Sequence, residues 1–502
     1  MKQFKVLFLY PNSTLMNPAP ISIALFTALL RREGVEVDLF DSTLYPEAGN
    51  TSSDAAKMEN LQVKPFDWSE RGIKLKTTRM EDDLVKKVED FKPDLIAISV
   101  LECTYAECLR MLKTIEPYDN IPVMVGGVFA THAPQIVFRN KNVDMVVIGE
   151  GEDVLLEVVK NMSAGEDYSK IGNLMFRNKD GEIIRNSTRH LVDISKLPIP
   201  DYSLFDIERL YRPMGGRVYR CVPVESNRGC PYQCTFCNSP SMVSLYKENN
   251  AENFYRKKSI PALYEELKKQ IKRWEAEYVY FTSDTFLAIS DEEFDEFIRI
   301  YSEFKLPFWI QTRPETVNPY RAKKLKEVGL HRISLGLEHG NAEFRRRVIH
   351  KDFDDQKMIE CTKILTDVGV PVTVNNMIGF PDETRDLIFD TIELNRKLSS
   401  ETINCSVFAP FHGTPLQKLA VEKGYVAEDF VFGSINVDAP LDMPQLPRDE
   451  IKSLRRTFAL YCKLPKDYWP MIKKAERFDE EGNQAFAELR RIYQKNYFEN
   501  VC

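Results

Sequence analysis

Short apolar segments alternate with amphipathic ones along most of this chain, and this alternation constrains its fold more than any other feature. Residues 4–10 are apolar enough for a buried strand, and residues 20–32 carry apolar side chains at helical spacing between Pro20 and Gly34. The same order of strand and helix recurs further along the chain. Strands that alternate with helices predict parallel sheets with helices packed on them.

Two such sheets are predicted, and a helical region follows them. The strands of the first cover residues 4–10, 35–40, 95–101, 122–125 and 144–148, and a hairpin follows at 171–177 and 182–185. The strands of the second cover residues 222–226, 278–283, 308–311, 332–337, 372–378 and 403–408. Six parallel strands with crossover helices predict a partial (β/α)6 barrel, in which chemistry gathers at the carboxyl ends of the strands.

These patterns divide the chain into four segments. A doubly wound α/β sheet domain is expected over residues 1–170 and a hairpin with a linker over 171–220. The partial barrel is expected over residues 221–420 and a C-terminal helical cap over 421–502, where the alternation of strands and helices is lost.

Three cysteines are grouped just past the first predicted strand of the barrel. Their C-x3-C-x2-C spacing does not fit one face of a helix, and Gly229 and Pro231 favour a loop that curls the thiolates around one soft metal centre. A closed zinc site and an ordinary cubane each need four ligands, so the fourth position is predicted to be open. The alternatives are a zinc site completed by Cys221 or a distant histidine and a chance grouping of buried cysteines. The grouped cysteines are Cys230, Cys234 and Cys237.

Composition and charge narrow the possible functions. The net charge of -7 argues against nucleic-acid binding as the main role. No run of about 20 apolar residues predicts a membrane span, and the first residues do not follow the plan of a signal peptide. A cytoplasmic protein is therefore expected. In that compartment ten cysteines are better explained as metal ligands and buried thiols than as disulfides.

The cysteine motif with its flanks, residues 227–237, resembles the signature of the radical SAM superfamily. The resemblance implies that Cys230, Cys234 and Cys237 hold a catalytic 4Fe–4S cluster whose fourth iron is chelated by S-adenosylmethionine (SAM). It also implies a one-electron reductant, of flavodoxin or ferredoxin type, as the protein partner.

The ends of the later barrel strands resemble the SAM-binding series of the same family. Asp284 stands where the family often has a Gly-Gly-Glu stretch that meets the amino group of SAM, and a carboxylate suits an ammonium. The resemblance also implies that Arg313 meets the SAM carboxylate and that Glu338, in a Gly-x-Glu-x-Gly stretch, lies near SAM. Gly379, in a Gly-x-Pro-x-Glu-Thr stretch, would contribute backbone groups to the adenine site.

The α/β domain ahead of this motif ends in Val-Val-Ile-Gly-Glu-Gly-Glu at residues 146–152 and resembles that of cobalamin-binding radical SAM proteins. That family buries the nucleotide tail of cobalamin in the sheet. An Asp-x-His-x-x-Gly motif is absent, so binding without a histidine on cobalt is implied.

Cys103 and the two residues after it are expected at the lower face of cobalt, the alternative being that they only start a helix. Ligands of such sheets lie beyond the carboxyl ends of the strands. The cobalamin site is accordingly assigned to Asn12, Thr104, Tyr105, Gly126, Gly127, Gly149, Glu150 and Gly151.

The resemblance implies a cobalamin-dependent radical SAM enzyme. The expected reaction uses a 5′-deoxyadenosyl radical and methylcobalamin to methylate an unactivated carbon, or a phosphinate phosphorus, of a small molecule. Three alternatives stay open: cyclisation or rearrangement without methyl transfer, methylthiolation, and a cobalamin- or redox-sensing regulatory protein. Methylthiolation would need three further cysteines near the N-terminus, and residues 1–170 hold only Cys103 and Cys108.

Overall fold

The computed structural model describes residues 3–46, 53–250, 252–433 and 439–499. Two sheets of seven strands each follow one another along the chain, and a group of helices packs behind the second sheet. The predicted mixed α/β class is therefore confirmed. In the part of the chain that is described, no helix is long and apolar enough to cross a bilayer.

The first sheet is doubly wound, as predicted. Its strand order is β2-β1-β3-β4-β5-β6-β7, and β1 to β5 are parallel. Side chains of β1 alternate between its faces: Phe8 packs with the helices α1 and α7, and Leu7 packs with α3 and α4. The strands are β1 Lys5–Tyr10, β2 Glu36–Asp41, β3 Leu95–Ser99, β4 Val123–Gly126, β5 Met145–Val147, β6 Leu174–Arg177 and β7 Ile183–Arg185; the helices are α1 Ile21–Arg32, α2 Ser53–Glu59, α3 Met80–Phe91, α4 Tyr105–Thr114, α5 Val128–His132, α6 Pro134–Val137 and α7 Glu152–Ala164.

The hairpin of β6 and β7, which the sequence places in a separate segment with the linker, belongs to this first sheet. Strand β6 pairs antiparallel with β5, and β7 pairs antiparallel with β6. The hairpin covers backbone donors and acceptors of β5 that an edge strand would leave unpaired.

The second sheet has the six parallel strands expected of the partial barrel. The order is β16-β15-β14-β13-β12-β9-β8, with β8 antiparallel to β9, and β10 and β11 form a separate two-stranded pair. The carboxyl ends of the six parallel strands therefore lie along one edge. The strands are β8 Tyr211–Met214, β9 Arg217–Val224, β10 Asn227–Arg228, β11 Arg256–Lys257, β12 Tyr278–Phe281, β13 Phe308–Thr312, β14 Leu330–Glu338, β15 Val372–Ile378 and β16 Thr402–Val407.

Helices cover the second sheet and continue to the end of the described chain. Helix α16 packs against β16 and α14, and α17 and α18 pack against α16. This arrangement matches the predicted C-terminal helical region. The helices are α8 Ser239–Asn250, α9 Ile260–Arg273, α10 Asp291–Tyr301, α11 Pro319–Val328, α12 Ala342–Arg347, α13 Asp355–Asp367, α14 Arg385–Asn395, α15 Pro415–Glu422, α16 Arg448–Lys463, α17 Trp469–Ala475 and α18 Glu480–Gln494.

Candidate active site between the two sheets

Two adjacent cavities lie where the carboxyl ends of the two sheets approach each other. The first, of about 370 Å³, is bounded by the ends of β1, β3, β4 and β5 and by α1. The second, of about 520 Å³, is lined by Cys103 from the first domain and by Cys237 and Asp284 from the barrel. The cavities share the wall residues Leu101, Val128, Arg228, Met242 and Phe254.

The loop that carries Cys230, Cys234 and Cys237, which we call the cluster loop, is held closely against the barrel. The Cys230 sulfur lies 3.4 Å from the Thr285 hydroxyl, just beyond β12. A guanidinium nitrogen of Arg313, just beyond β13, lies 3.6 Å from the Cys234 sulfur. The Cys237 sulfur accepts the N–H of Ser239, at the start of α8, at 3.4 Å. The loop thus places its sulfurs at the carboxyl edge of the barrel, where the sequence predicts the cluster.

The donor set of this loop fits an iron–sulfur cluster. No three His, Cys, Asp or Glu side chains among the described residues are arranged to hold a single metal ion. A cubane has a different requirement, because each thiolate binds a separate iron atom. All nine described cysteines are free, so these three thiols are available. Burial raises the pKa of Cys237 to about 12, so iron binding there displaces a proton.

Of the four residues predicted to bind SAM, Asp284 lies in the second cavity together with Cys237. Asp284 is an exposed residue, and its carboxylate has no hydrogen-bond or ion-pair partner among the described residues. Burial among protein atoms, together with repulsion from Glu225, raises the pKa of Asp284. An unpaired carboxylate beside the cluster loop is suited to receive a cationic group.

The other three residues lie at the ends of neighbouring barrel strands. Arg313 packs on the ring of Tyr232, 3.9 Å from its centroid, and donates to Glu315 from Nε at 3.0 Å. Glu338 ends β14 at a φ of +66° and accepts from Lys351 Nζ at 2.9 Å. Gly379 follows β15 at a φ of +84°. The SAM assignments of these residues stay predictions.

A buried pair that the sequence does not reveal joins two of these strand ends. Oε2 of Glu383 accepts the backbone N–H groups of Gly379 and Phe380. The other carboxylate oxygen lies 3.0 Å from Nε2 of His339, which directly follows Glu338, and neither side chain of the pair is exposed. Glu383 thus holds the turn after β15 and brings it against the loop after β14, although the contact with His339 lacks the geometry of a hydrogen bond.

Five of the eight residues predicted for cobalamin line the first cavity: Gly126, Gly127, Gly149, Glu150 and Gly151. The glycines expose backbone to a cavity whose other walls are mostly apolar, such as Phe8, Ala97 and Met124. A buried apolar slot at the carboxyl edge of the sheet fits the nucleotide tail of cobalamin. The carboxylate of Glu150, by contrast, is not free for a ligand, because it pairs with Arg228 at 2.9 Å.

The other three predicted residues line neither cavity, and their cobalamin assignment stays a prediction. The Asn12 amide donates to Thr43 Oγ1 at 2.8 Å. The Thr104 hydroxyl bonds with the backbone of Leu101, and the Tyr105 hydroxyl donates to the Ile136 carbonyl at 3.2 Å. Each of these polar groups has its hydrogen-bond partner inside the first domain. The residues after β3 that reach the second cavity are instead Leu101, Glu102 and Cys103.

Gly127 allows the wall of the first cavity to form. Its φ of +108° and ψ of 175° belong to a region that only glycine adopts readily, and a Cβ atom would lie 2.4 Å from the Val100 carbonyl oxygen. We expect Gly127→Ala to destabilise the first domain by roughly 3 kcal/mol and to weaken cobalamin binding. Differential scanning calorimetry and a cobalamin titration would measure both effects.

Gly165→Ala is the matched control in the same domain. Gly165 also has a positive φ, of +71°, but a Cβ there would meet no atom within 4 Å. We expect a cost of about 1 kcal/mol and unchanged cobalamin binding. Equal effects of the two substitutions would contradict the steric explanation for Gly127.

A buried ion pair that sequence reasoning also missed joins the two domains at the second cavity. Glu102 accepts from the ring of His412 at 2.8 Å and from its backbone N–H at 3.0 Å. The other ring nitrogen, Nε2, faces the Glu428 carbonyl oxygen at 3.2 Å. Both ring nitrogens thus face acceptors, so the geometry favours the doubly protonated imidazolium.

The stability of this contact is expected to depend on pH. Burial lowers the pKa of His412, but Glu102 outweighs burial and raises it above the usual 6.5 overall. The contribution of the Glu102–His412 ion pair to the free energy of unfolding is therefore complete below about pH 6.5. It is lost as the pH rises through the folded-state pKa of His412. Burial lowers the pKa of the neighbouring His132 to about 4, which is outside this window.

Glu102→Gln would isolate that contribution. We expect it to lower stability by about 1.5–3 kcal/mol at pH 6, with a smaller loss at pH 9, measured as the difference in thermal unfolding from the unsubstituted protein. Glu265→Gln, which changes an exposed glutamate of α9, serves as the control. A difference that does not change between pH 6 and pH 9 would exclude the imidazolium.

Two family models match the two parts of the chain that contain these features. The B12 binding domain matches residues 14–159, and the Radical SAM superfamily matches residues 224–394. Both models include residues at the two cavities, and the second includes the three cysteines of the loop.

Individual proteins are similar over most of the chain. An uncharacterized methyltransferase of Pyrococcus horikoshii is 26% identical over 422 residues, which cover 82% of this chain and 87% of that protein. The anaerobic magnesium-protoporphyrin IX monomethyl ester cyclase of Rubrivivax gelatinosus is 24% identical over 376 residues. That alignment covers 72% of this chain and 64% of the cyclase, which is less than two thirds of its length.

One solved structure shares the whole fold. The radical SAM methyltransferase TsrM from Kitasatospora setae, with cobalamin and a [4Fe-4S] cluster bound, superimposes with a TM-score of 0.65 at 15% identity. The match covers 98% of this chain and 99% of TsrM. The likeness therefore extends over both sheets and the C-terminal helices.

Proposed function

We propose a methyl-transfer reaction for this chain, a cobalamin-dependent radical SAM enzyme that combines a B12-binding domain with a radical SAM domain. The acceptor would be an unactivated carbon, or a phosphinate phosphorus, of a small molecule. The observation that carries the proposal is the second cavity, in which Cys103 of the first domain faces the same space as Cys237 and Asp284 of the barrel. The similarity to the methyltransferase of Pyrococcus horikoshii supports it.

The chain's own residues would hold and orient the reactants. Cys230, Cys234 and Cys237 would bind the cluster, and the carboxylate of Asp284 would hold the SAM ammonium. When bound, the cluster, SAM and cobalamin supply the radical chemistry and a transferable methyl group. Apolar walls that include Phe129 and Met377 would exclude water from the reacting space.

Cyclisation or rearrangement without methyl transfer is the second candidate, and the similarity to the cyclase of Rubrivivax gelatinosus favours it. A sensor of cobalamin or redox state would need no SAM turnover.

For either enzyme reaction we propose a flavodoxin- or ferredoxin-like electron donor and a cytoplasmic location, because free thiols and an iron–sulfur cluster require reducing surroundings. We propose no nucleic-acid partner, in keeping with the negative net charge.

The test is an anaerobic incubation of the cluster-loaded protein with methyl-labelled SAM, cobalamin and a strong reductant. Mass spectrometry would follow 5′-deoxyadenosine and S-adenosylhomocysteine, with the Cys234→Ala protein as the control. Formation of both products in the unsubstituted protein only is expected for methyl transfer. Formation of 5′-deoxyadenosine alone would favour rearrangement, and formation of neither would favour the regulatory function.

A further inference from the structure

Five charged side chains from both domains meet in the wall between the two cavities. Arg228 donates from Nη1 to Glu150 at 2.9 Å and to Glu152 at 2.7 Å, and from Nε to Glu225 at 2.9 Å. Arg256 donates to Glu150 as well, from Nη1 at 3.1 Å. We refer to these five residues as the interdomain charge cluster.

The interdomain charge cluster is shielded from solvent. The side chains of Glu150 and Glu152 are 7% and 6% exposed, and that of Arg228 is 17% exposed. Arg228 and Arg256 outweigh the effect of burial and lower the pKa of Glu150, whereas burial raises that of Glu152. Loss of a partner at such sites would leave a largely buried charge unpaired, so the carboxylates constrain the position of Arg228.

On the barrel side, Arg228 is rigidly connected to the cluster loop. It pairs with Arg256 in the β10–β11 ladder and lies two residues before Cys230. The intervening Gly229 has a φ of +82°, and a Cβ there would lie 2.8 Å from the Phe254 carbonyl oxygen. Gly229 packs directly on Phe254, so the short segment between Arg228 and Cys230 positions the two residues together.

On the other side, the charge cluster reaches the wall of the first cavity. Glu150 lies in the turn between β5 and α7, and Glu152 is the first residue of α7; Gly149 and Gly151 of the same turn line that cavity. The hydroxyl of Tyr246, on α8, accepts the Glu150 N–H at 2.7 Å. A ligand that contacts this turn therefore acts on the residues that hold Arg228.

We propose that Arg228 is a positioning residue that couples occupancy of the first cavity by cobalamin to the placement of the cluster loop. Each cofactor then raises the affinity of the protein for the other. Thermodynamic linkage requires both affinities to rise by the same factor. The inference rests on the two cofactor sites and not on the reaction, so it can fail while methyl transfer holds.

Titrations with hydroxocobalamin, followed by visible absorbance, would test the coupling. The Kd is measured in protein with and without the reconstituted cluster, and iron content is determined in parallel. We expect the unsubstituted protein to bind cobalamin at least about fivefold more tightly when the cluster is present. In Arg228→Gln the ratio of the Kd without the cluster to the Kd with the cluster should fall to about one, while iron and cobalamin each still bind.

Arg139→Gln provides a matched control. Arg139 pairs with Asp429 at 2.9 Å, so it too links the first domain to the C-terminal part of the chain, but the two side chains are 60% and 56% exposed. This variant should keep the full ratio. Loss of the ratio in both variants would assign the effect to domain contact in general and overturn the proposal.

Two further outcomes would also overturn it: an unsubstituted protein with the same Kd in both states, or an Arg228→Gln protein with an undiminished ratio. If Arg228→Gln does not fold or retain iron, Glu152→Gln takes its place, because it keeps the shape of the side chain and removes one charge. We expect a reduced ratio for Glu152→Gln, and an unchanged ratio would count against the coupling.

Discussion

Replacing Cys234 with alanine is expected to abolish the brown absorbance of the reconstituted protein together with SAM cleavage. In our proposal the three grouped thiols supply the protein ligands of the cluster. The other described cysteines are buried, as Cys361 is, or lie in the first domain, as Cys103 does. Loss of one ligand should lower the rate of 5′-deoxyadenosine formation by roughly 1000-fold or more, equivalent to about 4 kcal/mol of activation free energy.

Cys361→Ala is the control for this prediction. Cys361 is buried in α13, away from the loop, so its removal should cost some stability and leave iron content and absorbance unchanged. Iron analysis, the visible spectrum and product formation would be compared in the two variants. A Cys234→Ala protein that is brown and active would refute the ligand assignment.

Replacing Asp284 with asparagine is expected to weaken SAM binding by roughly 10- to 150-fold, the equivalent of about 1.5–3 kcal/mol for a hydrogen bond to a charged group. The change removes the unpaired carboxylate of the second cavity and keeps its shape. Equilibrium binding of SAM to cluster-loaded protein would measure the loss. Asp295→Asn, at an exposed position of α10, should have no effect.

The same carboxylate predicts how SAM binding depends on pH. Because burial raises the pKa of Asp284, protonation begins at a higher pH than for an ordinary aspartate. Ammonium binding is complete above that pKa and is lost as the pH falls through it. We expect affinity to decline toward acid in the unsubstituted protein and less so in Asp284→Asn. An identical decline in both would show that another group holds the ammonium.

Local pattern was sufficient to predict the parallel strands, because a buried strand needs an apolar segment wherever it lies in the fold. The short strands β8, β10 and β11 were not predicted. The strands β1 and β15 begin and end within one residue of their predicted bounds. The β6–β7 hairpin was predicted as well, but its place at the edge of the first sheet was not. Which strand a hairpin pairs with depends on the free edges that the rest of the sheet leaves.

The residues of the candidate site also divide into those that the local sequence predicts and those that only the tertiary structure places. The cysteine loop and the glycines of the first cavity were predicted, since each is a short stretch whose residue types allow few conformations. Thr104 and Tyr105 were assigned to cobalamin because they follow β3, yet their hydroxyls bond within the first domain. Position after a strand does not determine which way a side chain turns.

The amino-acid sequence by itself predicted the parallel strands of the two sheets, their order in the chain and the three grouped cysteines proposed as soft-metal ligands, because each depends on neighbouring residues. Only the tertiary structure decided that Glu102 meets His412, 310 positions away, and that Arg228 meets Glu150 across the wall of the two cavities. Such pairs form when two separately folded sheets bring their carboxyl edges together. Their partners follow from that packing geometry, which no local pattern of residues encodes.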